Sequence, residues 1–123
     1  MPVSCTFTEL IIDARDPQRL SEFWCAALGW EPTGRYEGAL EIGASDGSIP
    51  SISFVPNNEP KSAKNRVHID VNPRGCDQAA EVARLIALGA QRVDIGQRQQ
   101  TWVVLADPEG NEFCVLEERR DQP

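Results

Sequence analysis

Basic residues are in short supply: 12 Lys and Arg stand against 19 Asp and Glu, for a net charge of −7 over 123 residues. A nucleic-acid binder needs a basic face to displace counterions, so this balance argues against that class. No apolar run approaches the about 20 residues needed to span a membrane. The stretch Met1 to Thr8 has no basic segment followed by an apolar one, so it does not read as a signal peptide. These absences lead to the expectation of a cytoplasmic protein with neither membrane nor nucleic acid as a partner. Of the four cysteines, Cys5, Cys25, Cys76 and Cys114, no two form a Cys-x-x-Cys pair. Neither a zinc ribbon nor a thioredoxin-type motif is supported, and reduced, buried thiols are the default for Cys25 and Cys114. The Gly-rich phosphate loops and the Gly-x-Ser-x-Gly nucleophile turn are missing too.

What is present is ordinary for one globular domain over 1–123: 41% apolar and 25% charged residues. Asp16-Pro17 opens a helix, with Asp16 placed to accept from a first-turn amide and Pro17 having no amide hydrogen to leave unpaired. Leu20, Phe23, Trp24, Ala27 and Leu28 form its apolar face, and Gly29 stops it. A second helix is capped by Asp77 and carries Ala79, Val82, Ala83 and Ile86 as its stripe, ending at Leu88-Gly89. Strand-like alternation precedes each helix. Leu10, Ile12 and Ala14 alternate with Glu9, Ile11 and Asp13; Val67, Ile69 and Val71 alternate with His68, Asp70 and Asn72. Extended segments follow near 38–43 and 51–55 in the first half, and at 90–94, 101–106 and 112–117 in the second. The turns at Asp46-Gly47 and Glu109-Gly110 and the two Leu-Gly stops recur at nearly one spacing, as an internal duplication requires. The linker is Pro56 to Asn65, and the tail Arg119 to Pro123 reads as loose.

The chain therefore reads as α+β, two strand–helix–strand–strand–strand modules over about 5–55 and 66–118. The expected arrangement is a curved, half-closed mixed sheet with the helices outside and a small-molecule pocket on its concave face. Three segments carry a family resemblance: LIIDARDPQRLSEFWCAALGWEP (Leu10 to Pro32), PNNEPKSAKNRVHIDV (Pro56 to Val71) and ADPEGNEFCVLE (Ala106 to Glu117). In this order they resemble the glyoxalase/bleomycin-resistance/dioxygenase, or vicinal oxygen chelate, superfamily, in its actinobacterial glyoxalase-like form.

The resemblance implies a divalent metal held by the first and last strands of each half and acting as a Lewis acid. Transferred position by position, the ligand sites fall on Glu9, on Ser51 or Ser53, on His68 and on Cys114. Glu9 and His68 are ordinary ligands. Serine is a poor one, and Cys114, between Phe113 and Val115, must lose a proton that an apolar setting retains. The expectation is no tightly bound catalytic metal, with Glu9, His68 and Cys114 as the weak candidates for one. Glu9 and His68 are instead candidates for acid–base work, set against a rim carboxylate paired with Arg66 and a structural histidine. Phe54, Arg66, Trp102 and Cys114 are the candidate ligand contacts, and both aromatics have plain packing as the alternative. Lys64, Asn65 and Arg66 are either an anion site or a solvated linker end. Two functions follow: a lyase, isomerase or dioxygenase acting on a small oxygenated substrate, or a non-catalytic module that sequesters a cationic drug. A homodimer is the expected assembly.

Overall fold

The computed structural model describes residues 3–93 and 101–117. Two compact units, 1–60 and 61–123, make up the chain. The first contains β1 (Glu9–Ala14), α1 (Pro17–Leu28), β2 (Glu31–Tyr36), β3 (Ala39–Gly43) and β4 (Ser51–Pro56). The second contains β5 (Ile69–Val71), α2 (Gln78–Leu88), β6 (Gln91–Arg92), β7 (Val103–Ala106) and β8 (Glu112–Val115). The strand orders are β1-β4-β3-β2 and β5-β8-β7-β6, so one topology occurs twice. In each sheet the outer strand before the helix runs parallel to its neighbour, and the remaining pairs are antiparallel. The duplicated α+β module anticipated from the repeated stops and turns is therefore present.

Both helices start as their sequences dictate. Asp16 accepts from the Arg19 amide at 3.2 Å, and Asp77 accepts from the Ala80 amide at 2.8 Å. Each cap satisfies a first-turn N–H that has no partner within the helix. Gly29 ends α1 at φ 69°, a left-handed conformation that a side chain would strain. The β2–β3 hairpin turns through Glu37 and Gly38 with φ of 49° and 84°, the two positive values that a two-residue hairpin requires.

The core of the first unit lies between α1 and its sheet. Leu20, Phe23 and Trp24 are buried on the helix; Leu40, Ile42, Ile52 and Phe54 are buried on β3 and β4. Phe23 and Trp24 meet edge to face with centroids 5.2 Å apart. In the second unit Val82 and Leu85 are the buried apolar residues of α2, and all four residues of β8 are buried.

The structure corrects three details. Ala79, Ala83 and Ile86 are exposed, so the buried stripe of α2 runs through Val82 and Leu85. Val67 is 70% exposed, and β5 begins only at Ile69, so His68 precedes the strand instead of alternating within it. Trp102 likewise precedes β7. The remaining strand of the three expected after the first helix, not located in the sequence, is β2, EPTGRY, whose polar, Pro- and Gly-containing pattern lacks strand periodicity. Asp94 and the tail 119–123 lie outside the described residues.

Candidate functional site

Register decides which side chains share a face. Glu9 pairs with Ser51 and Ile11 with Ser53 across β1 and β4, while Ser53 pairs with Glu41 across β4 and β3. Because side chains alternate along a strand, these residues point away from the helix-side core of Leu40, Ile42, Ile52 and Phe54. One face of the first sheet is thus apolar and packed, and the other carries Glu9, Glu41, Ser51 and Ser53, with the exposed Ile11 and Asp13 farther along β1.

Hydroxyls hold Glu9 and Glu41. Ser53 Oγ donates to Glu9 Oε2 at 3.0 Å, and the Tyr36 hydroxyl lies 3.3 Å from Ser53 Oγ. Ser53 has one proton and gives it to Glu9, so Tyr36 is the donor in the second bond. The result is a directed chain, Tyr36 to Ser53 to Glu9, whose middle member is fully buried. Glu41 accepts from Thr33 Oγ1 at 2.8 Å and from Ser51 Oγ at 3.1 Å. Neither Glu9 nor Glu41 forms an ion pair among the described residues. The charge is also uneven: nine acidic against three basic residues in 1–60, a net of −6, and ten against nine in 61–123, a net of −1.

In the second unit, His68 is half-buried with Nε2 2.6 Å from the Asn65 carbonyl oxygen. Cys114 is buried on β8, paired with Asp70 and Val104. Burial pushes its thiol up from the ordinary range, and the Asp70 carboxylate beside it pushes the same way, first as a charge and then as a hydrogen-bond acceptor; Lys64 opposes them. The thiol is therefore a neutral donor toward Asp70 and not a thiolate. Arg66 is exposed. Trp102 is 38% exposed, whereas Phe54 has no exposed surface and belongs to the helix-side core.

The four positions that the resemblance assigns to a divalent ion make a poor donor set here. Ser53 is committed as a donor to Glu9, and Cys114 keeps its proton. Among the described residues, no three His, Cys, Asp or Glu side chains are grouped so as to hold a metal ion. The residues do not fit the chelated ion that the resemblance implies.

Tyr36, Thr33 and Glu41 were not reached from sequence. Tyr36 and Thr33 lie on the unrecognised strand β2. Glu41 had a readable signal, since it alternates with Leu40 and Ile42.

The glyoxalase-like domain model matches residues 9–116. Comparison with curated proteins found no match. Among solved structures, the chain is similar to a glyoxalase/bleomycin resistance protein/dioxygenase family enzyme from Burkholderia phytofirmans. There the TM-score is 0.70 and the identity 19%, covering 90% of this chain and 97% of the other. It is also similar to a glyoxalase/bleomycin resistance protein/dioxygenase from Nocardioides, at TM-score 0.68 and 15% identity, covering 100% and 90%. A third is the fosfomycin resistance protein FosX from Mesorhizobium loti, at TM-score 0.66 and 13% identity, covering 98% and 96%.

Proposed function

The chain belongs to the glyoxalase-like domain family, and on that premise we propose that it binds a small cationic organic compound on the polar face of its first sheet. One observation carries this reading. Glu9 and Glu41 share that face, are oriented by neutral hydroxyls and have no cationic partner among the described residues. Two oriented carboxylates within a unit of net charge −6 attract a cation and repel an anion. Names of structural neighbours in this superfamily refer to bleomycin resistance, and a cationic glycopeptide of that kind is the natural probe.

Isothermal titration with bleomycin, and with fosfomycin as the anionic control, tests the proposal. The expected result is saturable, salt-sensitive binding of the cation only. Glu9→Gln and Glu41→Gln should each weaken it by about two- to fivefold, the equivalent of one solvent-screened ion pair. Absence of saturable binding, or an affinity unchanged in the double variant, overturns the proposal.

The Tyr36–Ser53–Glu9 chain favours a second reading, metal-free acid–base catalysis on a small oxygenated substrate. Ser53 occupies Glu9 Oε2 and leaves Oε1 to accept a proton, the role of a general base in a lyase or isomerase. Deuterium exchange into small oxo-acids, abolished by Glu9→Gln, would support it; exchange no faster than in buffer alone would remove it. Pairing of two copies belongs to the same proposal, since β1 and β2 are edge strands of a four-stranded sheet. Light scattering decides it, and a monomer at high concentration refutes it.

A further inference from the structure

The second unit contains a polar network that neither reading uses. Glu112, at the start of β8, is 9% exposed and accepts from the Asn65 amide at 2.8 Å. Its other oxygen meets Lys61 Nζ at 2.7 Å. The Asn65 side chain donates to Asn111 Oδ1 at 2.9 Å. Asn111 is in turn held by Asp107, which is 3% exposed and accepts from both the amide and the side chain of Asn111. Asn65 is thus tied by its main chain and by its side chain to the β7–β8 turn.

The same residue turns its carbonyl oxygen on the only histidine, 2.6 Å from His68 Nε2. A carbonyl can only accept, so Nε2 carries a proton. In the neutral ring the lone pair then sits on Nδ1. Nothing among the described residues engages Nδ1.

We propose that Glu112 is a positioning residue that acts through Asn65 to hold His68 as its Nε2–H tautomer and to present Nδ1 as a hydrogen-bond acceptor. The partner that Nδ1 can take is an O–H or N–H donor. The inference uses the second unit alone, so failure of cation binding at the first sheet leaves it standing.

One histidine gives one imidazole spin system, which makes the test direct. In the ¹⁵N-labelled full chain, in mildly alkaline buffer, the ring proton should reside on Nε2 and survive exchange with water. Nδ1 should give the shift of an unprotonated nitrogen. Glu112→Ala should speed exchange of the ring proton by about tenfold, the loss of one well-made hydrogen bond. Lys61→Met, which leaves the Glu112–Asn65 bond intact, should change it much less. If Glu112→Ala does not fold, Asn111→Ala, which cuts the other tie on Asn65, is read in its place with the same criterion. A ring proton on Nδ1 in the parent protein, or unchanged exchange in the folded variant, refutes the inference.

Discussion

Replacing Phe54 by alanine separates two roles that one aromatic residue in a glyoxalase-like sheet can have. Phe54 has no exposed surface and sits on β4, between β1 and β3 in the sheet. It pairs with Ile12 and Leu40, on the side that faces α1. Truncating a fully buried phenylalanine removes its transfer free energy and leaves a cavity, together about 3–5 kcal/mol. For a chain of this size, each kcal/mol lowers the melting temperature by roughly 4 °C, so the expected fall is about 12–20 °C. That is a large share of the roughly 5–15 kcal/mol that such a protein possesses, so Phe54→Leu, at about 1–1.5 kcal/mol, is the companion variant. Urea unfolding followed by tryptophan fluorescence gives the free energies, and titration of the Leu variant with bleomycin gives the affinity. A core role for Phe54 predicts lost stability and retained binding. Destabilisation below about 1 kcal/mol in the Ala variant, or lost binding in a stable Leu variant, would place Phe54 against the ligand and refute it.

Further outcomes follow from the polar groups. The carboxyl of Glu112 lies below its usual range: burial raises it, but the hydrogen bonds from Lys61 and from the Asn65 amide outweigh burial. A carboxylate held lower in the folded state contributes stability that is present above the unfolded value and is lost as pH falls through the folded one. Stability should therefore decline in acid below the ordinary carboxylate range, and Glu112→Gln should flatten that decline in urea midpoints measured against pH; an unchanged profile contradicts the network. Cys5 is exposed, whereas Cys114 is buried with its thiol pushed up. Iodoacetamide should label Cys5 in the native protein and Cys114 only after unfolding, as peptide mass mapping would show, and native labelling of Cys114 ahead of Cys5 would disprove its protonated, buried state. Asp77→Ala removes the cap of α2 and should cost about 1 kcal/mol in urea unfolding, while a neutral result would show that the Ala80 amide finds another acceptor.

Local chemistry was legible in the sequence wherever a residue acts on its own neighbourhood. Asp16 and Asp77 cap because a short acidic side chain three residues ahead of an unpaired amide reaches it whatever lies elsewhere in the chain. Leu20, Phe23 and Trp24 announce a buried helical face by spacing alone. Matching stops and turns in the two halves foretold one topology used twice. Residues that act across strands were harder to read. The stripe of α2 was misplaced because alanine and isoleucine fit either side of a short helix, and only packing against β8 chooses Val82 and Leu85. His68 looked like a strand residue by alternation, but β5 is too short to include it, and a bond to Asn65 holds it instead.

The sequence by itself determined the helices, their caps, the duplication and the acidic bias of the first half, because each depends on residues a few positions apart or on composition. Only the tertiary structure decided that Tyr36, Ser53 and Glu9 form one hydrogen-bonded chain and that Glu112 reaches Asn65. The partners in these bonds lie 17, 44 and 47 residues apart in sequence. Strand register brings Tyr36, Ser53 and Glu9 together, while Asn65 reaches Glu112 from the segment ahead of β5; register is set by the packing of whole apolar faces against the helices, a choice no short window of sequence contains.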